Sequence, residues 1–233
     1  MDRMALPVAM GWRHLLFANW SIDPDRLAPH LPDALEVDTH DGEAWLSVVP
    51  FYNVDVRPRG LPAWTGFELP ELNLRTYVRH RGRPGVCFFS LDAEGLVGVL
   101  GARVLHHLPY YNARMSIRER AGKIHFRSRR VHPGARPVTF TASYEATGDP
   151  FEATSDPLAS FLTERYRYFN EDTNGAVRSA EIRHEPWTLQ DARATIEADQ
   201  LFRANGFEPP VEEPLLYYSR GLDITASRNR RLE

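Results

Sequence analysis

From residue 44 to residue 147 the sequence keeps alternating apolar with polar or small residues, and short turn signals separate the runs. "EAWLSVVPFYNVDV" puts Trp45, Ser47, Val49 and Phe51 on one side of a strand, because successive side chains of an extended chain point to opposite faces. "LNLRTYVRHRG" sets Asn73, Arg75, Tyr77 and Arg79 against Leu74, Thr76 and Val78, and "GVCFFSLDA" follows it after a "GRPG" turn. "RMSIRERAGKIHFRSRRV" reads as a hairpin about "AGK", and "RPVTFTASYEATG" carries Val138, Phe140, Ala142 and Tyr144 on one face. Many short strands joined by tight turns imply an antiparallel sheet, curled or closed so that few edges stay open to pairing with other chains.

Three segments interrupt the alternation. "DAEGLVGVLGARVLHH" fits a helix capped by Asp92, "SDPLASFLTERYRYF" one with Pro157 in its first turn, and "TLQDARATIEADQLFRANG" one opened by a Thr188–Asp191 pair and stopped at Asn205-Gly206. A shorter helix start stands at Asp23-Pro24. The fold class expected is therefore α+β: a curled, mainly antiparallel β-sheet forming a cone or open barrel, with helices packed outside. No linker or repeat divides the chain, so residues 1–233 are expected to form a single domain.

Composition narrows the function. A net charge of −3 argues against non-specific nucleic-acid binding. The arginine clusters "RSRR" (127–130) and "RNRR" (228–231) read as a solvated strand edge and a chain end. No apolar run approaches the ~20 residues of a membrane helix, and the N-terminus does not read as a signal peptide. The single cysteine, Cys87, suits a reducing compartment, so a cytoplasmic protein is expected. Cys87 lies in an apolar strand and reads as a packed thiol, and "NWS" at Asn19 reads as a chance glycosylation triplet. Phosphate-loop, GxSxG and HExxH motifs are missing and the histidines are scattered, so neither a metal nor a cofactor is expected.

What remains is a polar strip in an apolar strand: Glu71, Asn73, Arg75 and Tyr77 of "ELNLRTYV" share one face. Three readings fit. The face lines a pocket where arginine binds an anion; it hides a Glu71–Arg75 ion pair; or it is simply wet.

The chain resembles the YqjF-like family, which is similar in fold to acetoacetate decarboxylase. The resemblance rests on "LPDALEVDTHDGEAWLSVVPF", "ELNLRTYV", "PGVCFFSLDA", "ARVLHHLPYYNARM", "RHEPWTL" and "YYSRGLDI", which run through almost the whole sequence. In the decarboxylase, a lysine after a proline forms a Schiff base with the keto acid. Matching that proline to Pro109 implies that Tyr110 and Tyr111 stand at the two lysine positions. A phenol forms no iminium. Lys123, the only lysine, sits in the "AGK" turn, where its amine is expected to be hydrated and protonated. Arg103 and Arg114 flank the tyrosines and would lower their pKa. "RHEPW", with His184 and Trp187, reads as a cap and packing base for a following helix.

The resemblance and the polar strip together imply a cavity lined by Glu71, Asn73, Arg75, Arg103, Tyr110, Tyr111 and Arg114. The partner expected is a small organic anion or carbonyl compound, without nucleic acid or membrane, and self-association into a homo-oligomer is compatible with this reading. Two alternatives stand beside it. One is a lyase, isomerase or hydratase that uses Arg75, a tyrosine and Glu71 on a carbonyl acid without a Schiff base. The other is a protein-interaction module using the aromatics of "GLPAWTGF".

Overall fold

The computed structural model describes residues 7–95, 108–172 and 174–232. Its strands, in chain order, are β1 (Val8–Ile22), β2 (Glu36–Val37), β3 (Ala44–Pro58), β4 (Phe67–His80), β5 (Arg83–Ala93), β6 (Tyr110–Arg120), β7 (Lys123–Arg130), β8 (Thr139–Glu152), β9 (Arg167–Glu171), β10 (Val177–Arg183), β11 (Thr188–Glu197), β12 (Leu215–Ala226) and β13 (Arg230–Arg231). Two hairpins are set by their turns. Arg81-Gly82 joins β4 to β5 and Ala121-Gly122 joins β6 to β7, all four residues having φ between 49° and 77°. Positive φ at both central positions matches the natural twist of a strand pair. The first turn thus falls ahead of the expected "GRPG", and Pro84 and Gly85 lie inside β5.

The strands form one sheet in the order β13-β10-β9-β5-β6-β7-β8-β11-β12-β1-β3-β4-β2, and further pairings of β4 with β5 and β10 with β12 turn it back on itself. Among the described strands, only the pairings of β5 with β6 and with β9 are parallel. The sheet forks at two strands. β5 pairs with β9 at Val86–Cys87 and with β6 at Leu91–Ala93. β12 pairs with β11 at Tyr217–Tyr218 and with β10 at Thr225–Ala226. The wall β12-β1-β3-β4-β5 therefore belongs to two rings, one completed by β6, β7, β8 and β11, the other by β9 and β10. The architecture is the expected α+β, curled, mainly antiparallel sheet.

A shared wall must be apolar on both faces, and the sequence of β3 shows it. Ala44, Leu46 and Val48 enter one core with Leu16, Leu74, Phe126 and Phe140, while Val49 and Phe51 enter a second with Leu15, Phe17 and Tyr77. Val138, Phe140, Ala142 and Tyr144 of β8 all enter the first core, as their alternation requires.

Helices are short. The described ones are α1 (Pro24–Leu27), α2 (Pro157–Thr163) and α3 (Asp199–Ala204). α2 starts at Asp156, whose carboxylate accepts the Ala159 N–H at 2.7 Å, and brings Ala159 and Leu162 to the second core. α3 brings Leu201 and Phe202 to the first. Two expected helices are cut down. The segment after Thr163 becomes β9, and residues 188–197 form β11 along the edge of β8. In β11, Ala192, Ala194 and Ile196 pack on the first core while Arg193, Thr195 and Glu197 do not, a period of two rather than 3.6. Asp92 is no helix cap either. It lies in β5, and residues 96–107 of that expected helix lie outside the described residues.

Candidate functional site

Glu71, Asn73, Arg75 and Tyr77 share the face of β4 that turns toward the second core. Tyr77 is fully buried there, and Glu71 and Asn73 are 8% and 4% exposed. The wet-face reading is thereby excluded for all three. The Glu71–Arg75 ion-pair reading is excluded as well: four residues of strand separate their backbones by about 13 Å, and each side chain turns to other groups.

Glu71 Oε2 accepts from Tyr110 OH at 3.2 Å and from Asn53 Nδ2 at 3.3 Å. Burial pushes its carboxyl up to about 7, against the smaller opposing effect of those two hydrogen bonds. Burial and the adjacent carboxyl push the Tyr110 phenol well above its usual range, so it is a hydrogen-bond donor and not a base.

Arg75 lies between rings. Its guanidinium is 5.4 Å from the Phe17 centroid and 5.8 Å from that of Tyr77, and Nη2 donates to the Leu162 carbonyl of α2 at 3.2 Å. Tyr77 OH donates to the same carbonyl at 2.8 Å. Arg75 Nε, Asn73 Oδ1 and Asn53 Oδ1 are buried and have no hydrogen-bond partner among the described residues. Buried polar atoms are almost always paired, and these three lie along one face of a shared wall. Both neighbouring tryptophans, Trp45 and Trp187, also carry an unpartnered indole N–H.

The other expected site residues separate. Consecutive strand residues face opposite ways, so Tyr110 joins Glu71 while Tyr111 does not. The Tyr111 ring lies 3.9 Å under the Arg130 guanidinium, whose Nε donates to Asp92 Oδ1 at 2.8 Å in a buried pair. Burial pushes the Asp92 carboxyl up to about 6, outweighing the lowering by Arg130. Arg114 shares the strand face of Tyr110 but is exposed, beyond the buried strip. Arg103 lies outside the described residues. Lys123 opens β7 opposite Arg120, on the outer side of the hairpin.

Asn53 and Trp187 are the residues the sequence reading missed. Asn53 shares its strand face with Phe51 and Val49, so an amide in that phase was the signal. Trp187 is no helix base. It stacks on Trp12 with centroids 6.0 Å apart and meets Phe17 edge-on at 5.2 Å. Cys87 is a packed thiol, pushed up to about 12 by burial. Asn19 is buried, its amide donating to the Phe17 and Leu215 carbonyls at 3.1 Å. Trp64 stands 85% exposed, with Leu61 and Phe67 also at the surface.

Relatives carry the same frame. The model of family DUF2071, described as an uncharacterized conserved protein, matches residues 9–223. The chain belongs to the DUF2071 family. This DUF2071 chain is 41% identical over 214 residues to the uncharacterized protein YqjF of Bacillus subtilis (strain 168), covering 91% of the chain and 87% of that protein. Among solved structures, the fold is similar to the enduracididine biosynthesis enzyme MppR complexed with pyruvate (TM-score 0.70, 16% identity, 99% of this chain and 92% of that one). It is similar also to acetoacetate decarboxylase from Legionella pneumophila subsp. pneumophila str. Philadelphia 1 (TM-score 0.67, 14% identity, 98% and 88%). An acetoacetate decarboxylase-like enzyme from Sphingomonas wittichii RW1 gives a TM-score of 0.63 at 16% identity, covering 100% and 94%. At these identities the likeness is one of fold. Among the described residues of this DUF2071 chain, no helix is long and apolar enough to cross a membrane.

Proposed function

We propose that the inner face of β4 binds a small organic anion or carbonyl compound without forming a covalent bond to it. The observation that carries this is the neighbouring pair of buried atoms Arg75 Nε and Asn73 Oδ1, which, like Asn53 Oδ1 further along the face beside Glu71 and Tyr110, have no hydrogen-bond partner among the described residues. The guanidinium offers a donor to a carboxylate or carbonyl oxygen. The amide oxygens ask for a donor in return, such as a hydroxyl on the same ligand. The complex of MppR with pyruvate supports a ligand of this class in this fold.

Schiff-base decarboxylation is not part of the reading. The sole lysine stands on the outer side of the β6–β7 hairpin, and a phenol, Tyr110, stands beside Glu71 instead of an amine. Borohydride treatment in the presence of acetoacetate is expected to leave the protein's mass unchanged. A reduced adduct on Lys123 would contradict this.

Binding is tested by thermal unfolding with a panel of small 2-oxo and 2-hydroxy acids. A ligand at a hundredfold excess over Kd adds about 2.7 kcal/mol of stability, roughly 5–10 °C in Tm for a chain of this size. Arg75→Met should abolish that shift while the protein still unfolds cooperatively. An equal shift in the variant would remove Arg75 from the site.

A catalytic reading has one observation in its favour. A carboxyl pushed up to about 7 beside a phenol donor is matched to proton transfer near neutral pH. Glu71 would then move a proton on a carbonyl acid whose carbonyl Tyr110 polarises, as in a lyase, isomerase or hydratase, with Arg75 holding the far end of an extended acid. The reading takes residues 1–233 as one cytoplasmic domain, free to self-associate, and the free, buried thiol of Cys87 supports a reducing compartment.

A further inference from the structure

Strands β6 and β7 press one face on the first core and turn the other to solvent. On the solvent face the hairpin register sets cation against cation, Arg114 opposite Arg129 and Arg120 opposite Lys123, and places His125 opposite Arg118. Arg127 stands opposite Ser116. Like charges directly opposite destabilise a strand pair, and a one-residue change to an acid at any of these exposed positions would relieve the repulsion. Of the carboxylates near the hairpin, Glu119 lies 4.0 Å from His14 and Glu145 3.6 Å from Arg193, while Glu197 of β11 stands opposite Thr141 at the border of the face. Among the described residues, none of these five arginines is in an ion pair.

The face is also shaped. Ser116, Arg118, Arg120, His125 and Arg127 enclose a basin of about 270 Å³, roughly the space of nine water molecules at ~30 Å³ each. β8 continues the face with Thr141 beside Arg127 and Ser143 beside His125. The lining thus offers guanidinium forks, an imidazole and hydroxyls, and no carboxylate. Side chains two apart on a strand repeat about every 6.7 Å, so Arg118 and Arg120 present successive forks along a line. A compact monoanion would occupy one fork, whereas a chain of linked anionic groups engages several. With no tryptophan, tyrosine or phenylalanine in the lining, the basin has nothing on which a base would stack.

We propose that this basin binds a ligand through a diphosphate or triphosphate group. Planar guanidinium forks match phosphate oxygens bidentately, and the hydroxyls of Ser116 and Thr141 supply the neutral donors that phosphate sites also use. The ligand's binding energy offsets the repulsion built into the register, so the free protein is less stable than its charge-reversed variants.

Isothermal titration of the whole chain with inorganic tripolyphosphate, a nucleoside triphosphate and sulfate, all at one ionic strength, tests this. Tripolyphosphate should bind at least tenfold more tightly than sulfate. Arg118→Glu and Arg127→Glu should each weaken it tenfold or more with Tm unchanged or raised, and Arg118→Gln should weaken it without reversing charge. Arg183→Glu, distant in sequence and highly exposed, should leave the affinity as it is. Equal affinity for the nucleotide identifies the phosphate chain as the part recognised; tighter binding adds a contact beyond it, and both support the site. Tripolyphosphate binding no tighter than sulfate, or undiminished in Arg118→Glu and Arg127→Glu, would overturn the proposal.

Discussion

At pH 8 the Glu71→Gln protein should unfold at a higher temperature than the wild type, and near pH 4 the two should unfold together. The carboxyl titrates near 7 in the folded chain because it is buried with only neutral donors, and near ~4.3 in the unfolded one. As pH rises between those values the unfolded chain has released a proton that the folded chain retains. Stability therefore falls across that window and levels off above about pH 7. A difference of two to three pKa units at 1.36 kcal/mol each gives about 3 kcal/mol. Glutamine keeps an oxygen to accept from Tyr110 and Asn53 but has no charge to bury, so it recovers that amount at pH 8. Asp92, also raised, leaves a residual slope of the same sign in the variant. Urea unfolding from pH 4 to 8 measures this directly, and a Glu71→Gln protein less stable at pH 8 would mean that a cation compensates the carboxylate.

Asp38→Ala is expected to act in the other direction, destabilising the fold by about 3–5 kcal/mol. Asp38 is buried and accepts from Arg79 Nε at 2.7 Å and Arg165 Nη1 at 2.6 Å. Arg79 is half exposed and can be hydrated when its partner goes. Arg165 cannot, since its side chain is 6% exposed and packed 4.3 Å over the Phe161 ring, with Nε on the Phe161 carbonyl. Removing the carboxylate leaves that guanidinium buried without a counter-charge. Arg165 and Asp38 also tie the end of α2 to the wall, and the Leu162 carbonyl of α2 holds Arg75 and Tyr77. Ligand affinity should fall with stability. Chemical denaturation gives the size. The double variant Asp38→Ala/Arg165→Met should recover part of the loss, whereas additive losses would show that the pair is not what anchors α2.

Alternation made β3, β4, β6, β7 and β8 legible, because each of these strands presents apolar residues to a core at every second position. The same rule would have separated Tyr110 from Tyr111, which cannot line one cavity as neighbours in a strand. Residues 188–197 misled for a physical reason. Ala192 and Ala194 are strong helix formers by propensity, but β8 offers an unpaired edge, and tertiary hydrogen bonding outweighs a local preference of tenths of a kcal/mol. Glu71, Asn73 and Arg75 stood out as polar residues in apolar phase. Asn53 obeys the same logic but sits beside Asp55, where the strand already looks like a loop. Arg114 looked like a neighbour of Tyr110 because it is one in sequence phase; the face has left the buried strip by that point. Trp187 was hidden by the helix expected after it.

Whether the inner face of β4 holds its ligand by hydrogen bonds alone is read from a crystal soaked with the acid that gives the largest thermal shift. Non-covalent binding requires the acid's carboxylate within hydrogen-bonding distance of Arg75, its remaining polar group over Asn73, and no bond to any side chain. Density for the acid joined to Lys123, or found only on the outer sheet with the β4 face unchanged, would contradict it.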